Sequence, residues 1–403
     1  MDSAGTLTTD DVCLAVREAG FALGPEDISL DPRDERLAVA LPGGYMAWFP
    51  TNADGSARLK IERKVLHLLA DRCRFAAPKI VYVSPSGFDV RATVPGVHKP
   101  WDLYRRIQHD PVLARRIGVS LGEILAEQHT RISEADVAGW LPRRVSWPNS
   151  CDWIRDRLPD VVEDRELLRH AEKVLQVYEG LSVDPSDCVL VHSDVGLHNV
   201  AVDDATDAVN GIFDYDSAAW ADRHHDFRYL VFDFGEDNLL EAALSVYEPI
   251  VGRTIDVMRV KLYNAVCAFS YLAFRRGAPP YERSCGRTLD EDLRWANHAL
   301  AQLDSTRQAA TAMMSARVGD GDAHSDESVE RRSIAAATVP AKDELVQVRA
   351  EVLFAESVED AEPPPLGVRE HPVDPWHDDV GGHLADSARR VAVAVKAVVA
   401  LAV

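Results

Sequence analysis

Two short stretches, Val191-His192-Ser193-Asp194-Val195-Gly196-Leu197-His198-Asn199 and Gly211-Ile212-Phe213-Asp214-Tyr215-Asp216, decide how this chain is read. Each begins on an apolar, strand-like run and ends on side chains that carry oxygen. If residues 199–202 and 211–213 pair as a hairpin, Asp194, Asn199 and Asp214 are brought together at one end of it. Phosphoryl transfer to an alcohol needs few parts. One carboxylate accepts a hydrogen bond from the attacking hydroxyl and takes its proton. Separate oxygen donors hold magnesium against the phosphates, because that ion prefers hard oxygen ligands and keeps some of its waters. Taken singly, Asp, Ser and Asn beside short strands are most often turn-formers and caps. Their joint order and spacing, with an apolar strand before each motif, favours a catalytic set.

The same residues carry a family resemblance. The loop resembles that of aminoglycoside phosphotransferases and related small-molecule kinases, which use His-Gly-Asp, an Asn five residues after the Asp, and an Ile-Asp-Trp/Phe-Asp/Glu strand end. The resemblance implies that Asp194 is the catalytic base, that Asn199 and Asp214 are magnesium ligands, and that His192 braces the loop. Ser193 stands where the family has Gly. Asp216 matches the acidic residue that often ends the second motif, with a supporting role. Asp222-Arg223-His224-His225-Asp226 falls where the family has a Gly-Asp-Pro…Asp stretch, which makes Asp226 a structural carboxylate that receives loop N–H groups. Leu121-Gly122-Glu123-Ile124-Leu125-Ala126-Glu127-Gln128-His129 is similar to the family's Leu-Gly…Leu-Ala…His helix. The match covers roughly residues 20 to 300. It implies an α+β, two-lobed protein-kinase-like fold, with a small sheet-containing N-lobe and a mainly helical C-lobe. It also implies Mg²⁺ as cofactor and ATP or GTP as donor to a small-molecule hydroxyl, such as that of an aminoglycoside-like antibiotic or amino sugar. Antibiotic resistance would be the accompanying role.

The residues outside these motifs organise accordingly. Residues 36–41 and 45–49 flank Pro42-Gly43-Gly44 as a hairpin. A helix is expected over 56–71, and a second strand pair at 79–84 and 88–94 turns at Pro85-Ser86-Gly87. Pro95-Gly96 is a natural hinge. The expected N-lobe is therefore 1–97, and the catalytic and acceptor-binding lobe is 98–303. In that second lobe Leu113, Ile117, Leu121, Ile124, Leu125 and Gln128 share a helical face. Residues 304–403 read as an acidic, largely disordered extension, given the Gly/Asp/Ser/Glu-rich 318–330 and the break at Pro363-Pro364-Pro365.

The nucleotide lobe departs from the family. Kinases of this kind place a Lys or Arg on the third strand, paired with a helix Glu. Glu62 is the expected helix partner, because it lies among Leu59, Leu66 and Leu69, where a buried carboxylate requires a cation. Trp48 occupies the place of the basic residue, and the Leu30-Asp31-Pro32-Arg33-Asp34-Glu35 turn lacks glycines that would let N–H groups approach phosphates. Arg36, Lys60, Lys79 and Arg91 are the candidate substitutes; Arg91, near the hinge, is taken with Glu62 as cofactor-binding. A pseudokinase-like module that binds a small ligand without transfer is the alternative. A phosphohydrolase using His192, His198, His224, His225 and Asp226 is a weaker rival, since no distant His-x-x-x-His pair supports it.

Composition agrees with a globular enzyme. The 403 residues carry 44 basic and 65 acidic side chains, a net charge of −21, which disfavours nucleic acid and would draw cationic substrates. No C-x-x-C pair links the six cysteines, as expected of a reducing compartment. The N-terminus has no basic signal region, and the apolar run 391–403 is too short to span a bilayer. The expectation is a cytoplasmic monomer or weak dimer that binds nucleotide and acceptor and no membrane. Glu236, Asp237, Asp290, Glu291 and Asp292 lie where the resemblance implies an acceptor pocket and would suit a polycation, but the favoured reading of them is solvated helix ends; Phe234, Tyr271 and Trp295 are the candidates for lining a pocket for an apolar acceptor.

Overall fold

A computed structural model describes residues 7–33, 35–231, 238–279 and 287–319, excepting the side chains of 101 and 305–319. Helix α1 (Thr9–Glu18) precedes strands β1 (Asp31–Arg33), β2 (Arg36–Leu41) and β3 (Tyr45–Pro50). Helix α2 (Ala53–Arg72) follows, then β4 (Lys79–Val83) and β5 (Asp89–Ala92). The five strands form one antiparallel sheet in the order β1-β2-β3-β5-β4. Gly43 and Gly44, at φ 80° and 78°, make the β2–β3 turn, a conformation that glycine adopts without steric cost.

Strand alternation decides what the two sheet faces carry. Leu37, Val39, Ala47, Phe49 and Val90 share a core with Val12 and Val16 of α1. The register Arg36↔Pro50, Ala38↔Trp48, Trp48↔Asp89 and Met46↔Arg91 places Arg36, Trp48, Asp89 and Arg91 on the opposite face. Helix α2 packs against that sheet. Its start is capped by Asn52, whose side chain accepts from the Gly55 N–H at 2.9 Å. Gly55 has to be small, since a Cβ there would lie 1.9 Å from the Glu35 carbonyl oxygen.

The larger lobe is mainly helical: α3 (Pro100–His109), α4 (Pro111–Arg131), α5 (Glu134–Val137), α6 (Cys151–Arg157) and α7 (Arg165–Glu179), then α8 (Asn238–Val251), α9 (Val257–Phe274) and α10 (Leu289–Gly319). Helix α4 lies closely along α8 because Gly118 and Gly122 present no side chain there. A Cβ at these positions would fall 2.4 Å from the Leu239 carbonyl oxygen and 2.3 Å from that of Ala243. The Gly of the Leu-Gly…His pattern thus serves helix–helix approach. Helix α9 is mostly apolar and is buried from Val260 to Ala273, as a central core helix should be.

Between α7 and α8 lie β6 (Cys188–Val191), β7 (Val200–Val202), β8 (Val209–Ile212) and β9 (Ala219–Asp222). Strands β7 and β8 form the hairpin expected from sequence, with Val200 opposite Ile212. Asn199 itself belongs to a short 3₁₀ turn, Leu197–Asn199, because its N–H bonds back to the Gly196 carbonyl at 2.9 Å. Asp226 lies in a 3₁₀ segment, Arg223–Leu230, buried throughout. Helix α10 continues past residue 303 to Gly319. The proline-rich break and the apolar run 391–403 lie outside the described residues. Among the described residues, no helix is long and apolar enough to cross a membrane.

Candidate active site

The catalytic-loop candidate starts where β6 ends. Ser193 turns the chain with φ 65°, a left-handed conformation that costs a non-glycine residue roughly 1–2 kcal/mol, which accounts for the family's Gly at this point. Local bonds hold the turn. The Ser193 N–H donates to Asp226 Oδ1 at 2.6 Å and its hydroxyl to the Ser217 carbonyl at 2.8 Å, while its carbonyl accepts from buried Arg228. Asp226 also accepts the His192 N–H at 3.0 Å and the His129 Nε2–H at 3.0 Å. The Tyr247 hydroxyl meets the other His129 nitrogen at 2.8 Å. Burial alone would raise the Asp226 pKa; the bonds from His129 and the loop amides outweigh it and hold the carboxyl below its ordinary value. Burial likewise lowers the His129 pKa, so the ring is neutral.

His192 ties the loop to the neighbouring strand tip. Its Nε2–H donates to the Phe213 carbonyl at 2.9 Å, and its Nδ1 accepts the Asp194 N–H at 3.2 Å. The Phe213 N–H donates to the Asn199 carbonyl at 3.0 Å. Asn199 in turn donates its amide to Asp194, at 2.9 Å to the carbonyl and 3.0 Å to Oδ2. His198 approaches the same Oδ2 at 3.4 Å. The Asp194 side chain keeps 17 % exposure, so an opening to solvent remains beside it. Burial pushes its pKa up, but His198 and the Tyr229 hydroxyl push harder the other way, and the group is a carboxylate at neutral pH.

Asp214 sits at φ 69°, ψ 59°, directly after Phe213. Its Oδ1 is buried and has no hydrogen-bond partner among the described residues. A buried carboxylate oxygen without a donor is costly unless a cation meets it. With the Asn199 amide nitrogen engaged by Asp194, the hard oxygens of Asn199 and Asp214 suit a magnesium ion. Among the described residues, no group of three or more His, Cys, Asp or Glu side chains is set to hold a metal. The histidines of the rival hydrolase do not converge. His224 is bonded to Asp222, and His225 stacks on Tyr263 with ring centroids 4.1 Å apart.

The helix glutamate has two cations. Glu62 Oε2 lies 3.2 Å from Arg36 Nη1, and Oε1 lies 2.7 Å from Arg91 Nη1. Trp48, in the expected place of the lysine, is bracketed by the same two guanidiniums, 5.0 and 5.5 Å from its ring centroid. Arg91 is 2 % exposed and also pairs with Asp89 at 2.7 Å, so it acts within the lobe as a counter-ion to Glu62. Arg36 reaches the other way, to Asp216, which also pairs with Arg58 at 2.8 Å. The pairs form one alternating chain, Glu35–Arg58–Asp216–Arg36–Glu62–Arg91–Asp89–Arg63. Lys60 and Lys79 take no part in it. Strand parity was the sequence signal for Arg36, since it shares a face with Trp48. Nothing local in the sequence marks Tyr229 or Arg228.

The acceptor expectations are corrected where they are described. Asp292 is 1 % exposed and paired with Arg275 and with Arg287, the latter at 2.6 Å, so it cannot receive an acceptor amine. Glu291 caps α10 by accepting from the Thr288 N–H. Tyr271 and Trp295 are buried against each other, centroids 5.3 Å apart, and belong to the core. Phe234, Glu236 and Asp237 lie outside the described residues.

The fold is shared with known proteins. The chain superposes on a mutant of aminoglycoside 2'-phosphotransferase-IIIa in complex with GDP, at TM-score 0.50 and 20% identity, over 70% of this chain and 92% of that one. Macrolide 2'-phosphotransferase type I gives TM-score 0.49 at 20% identity, covering 74% of this chain and 98% of its own. A macrolide 2'-phosphotransferase from Brachybacterium faecium gives 0.49 at 19%, covering 68% and 100%. No curated protein matches the chain in sequence. The model of the phosphotransferase enzyme family matches residues 45–260, more than half of the chain. Since that span holds the Asp194 loop, the Asp214 strand tip and the Asp226 brace, the chain belongs to the phosphotransferase enzyme family.

Proposed function

We propose that the protein transfers the terminal phosphoryl group of ATP or GTP to a hydroxyl of a small molecule. The observation that carries this is the combination of a fixed, partly open carboxylate with a second carboxylate whose buried Oδ1 has no hydrogen-bond partner among the described residues. Asp194 is held on its Oδ2 side by Asn199 and His198, and Asp214 Oδ1 has no donor among the described residues. Asp194 orients the acceptor hydroxyl and receives its proton. Its depressed pKa makes it a weak base, which suits a loose transition state in which the proton moves late. Asn199 and Asp214 would hold magnesium, which when bound neutralises the phosphate oxygens. His192 and Asp226 keep the loop in shape. Rate enhancement then comes from positioning and charge stabilisation.

The acidic surface favours a cationic acceptor such as an aminoglycoside or amino sugar. We also place the lobe division at 97/98 and the protein, as a monomer or weak dimer, in the cytoplasm; the described cysteines are all free thiols. Magnesium-dependent nucleotide turnover with a panel of aminoglycosides, macrolides and amino alcohols tests the central claim. Asp194→Ala should lower turnover by about 10²-fold or more. Equal turnover in the two proteins removes Asp194 from the base role. Nucleotide binding with no turnover on any acceptor would instead favour a non-transferring binding module, whose basis is the missing third-strand cation at Trp48.

A further inference from the structure

In protein kinases a third-strand lysine paired to a helix glutamate and a metal-holding aspartate must both be in place. Here that strand position is Trp48, and Glu62 is matched from another strand. We propose that Arg36, on β2, is the positioning residue that joins the Glu62 helix to the strand tip carrying Asp214, acting through Asp216. The inference rests on the phosphotransferase reading for its catalytic meaning, though its geometry stands by itself.

Three observations converge on Arg36. It is 1 % exposed, and its two terminal nitrogens point to different lobes, Nη1 to Glu62 on α2 and Nη2 to Asp216 beyond β8. Its position is fixed further by the Trp48 ring, whose centroid lies 5.0 Å from the guanidinium carbon. Arg91 does not compete for the task, since Asp89 and Glu62 take up its guanidinium inside the small lobe; Arg58 of α2 shares Asp216 with Arg36, at 2.8 Å, but its side chain is 25 % exposed where that of Arg36 is 1 %. Asp216 follows Asp214 by two residues, within the single 3₁₀ turn Tyr215–Ser217. Fixing its carboxylate therefore fixes the left-handed Asp214 turn. Arg36 precedes the span matched by the family model, which begins at residue 45.

Two measurements on the full chain test the proposal. The first is hydrogen–deuterium exchange without nucleotide. Arg36→Met and Asp216→Asn should each speed exchange across residues 213–218 by ten-fold or more and leave the β7–β8 ladder protected; the double variant should add nothing to the larger single effect. Asp216→Asn serves if Arg36→Met does not fold. The second is a magnesium titration in the presence of ATP or GTP, read by thermal shift. Both variants should need at least ten-fold more magnesium for half-maximal stabilisation, and Trp48→Lys in the Arg36→Met background should recover part of the loss. Unchanged exchange at 213–218, or additive effects in the double variant, overturns the proposal whether or not nucleotide binds. Faster exchange in the variants of a chain whose wild type is not stabilised by magnesium and nucleotide upholds the coupling and sinks the transferase reading.

Discussion

Asp214 and Gly196 are the residues at which local backbone and site chemistry meet. Asp214 adopts a left-handed conformation that Asn also tolerates. Asp214→Asn should therefore fold normally, with a melting temperature equal to or above wild type, because a negative charge is removed beside a buried oxygen that has no donor among the described residues. Stabilisation by nucleotide should lose its magnesium dependence in a thermal-shift titration. Retained dependence would take Asp214 out of the metal site. At Gly196 a Cβ would fall 2.1 Å from His198 Cε1, where the His198 ring lies over the loop. Gly196→Ala must push that ring off Asp194. We expect about 1–3 kcal/mol of destabilisation in urea unfolding, together with a fall in turnover. A variant as stable and as active as wild type would show that His198 has room to move.

At the scale of elements, the α4–α8 contact is set by missing side chains. Gly122→Ala would place a methyl group 2.3 Å from the Ala243 carbonyl oxygen, which is backbone and cannot swing aside. The gain in helix propensity, about 1 kcal/mol, should be outweighed by overpacking. A net loss of about 1–3 kcal/mol in urea unfolding is expected, and a gain would mean that the helices separate freely. The sequence made α4 legible because its apolar residues recur at helical spacing, and made β2, β3 and the β7–β8 hairpin legible because apolar runs flank turn residues. It concealed β9, whose Ala219-Trp220-Ala221-Asp222 has no alternation because all four residues are buried. The 3₁₀ segment Arg223–Leu230 was equally hidden, since its geometry answers to the loop it braces.

Across the whole molecule, buried neutral histidines make stability depend on pH. Burial, with Arg228 alongside, pushes the His225 pKa down to about 3, and Arg228 donates to its Nδ1 at 3.2 Å. The unfolded chain binds a proton near pH 6.5 that the folded chain refuses, so stability is full above that pH and falls as the pH drops towards 3. Between pH 6.5 and 5 this residue alone should remove about 2 kcal/mol. Urea unfolding at several pH values checks the slope. His225→Asn, which keeps an acceptor for Arg228, should flatten it by about that amount; an unchanged slope would assign it to other groups.

The order and spacing of Asp194, Asn199 and Asp214 were determined by sequence alone, because a loop and the strand tip after it lie within about twenty residues and their turn chemistry is local. So was the need of Glu62 for a cation, since a carboxylate in an apolar helical stripe admits few other solutions. Which cation answered it was decided only by the tertiary structure. Arg36 and Glu62 are 26 residues apart, and Arg36 and Asp216 are 180 apart. Strand parity places Arg36 on the right face, but only the packing of α2 and the Asp216 turn against the sheet sets which partner each nitrogen meets. The same packing withdrew Asp292, Tyr271 and Trp295 from the expected acceptor pocket, because burial and pairing are properties of the assembled core and leave no mark on the residues themselves.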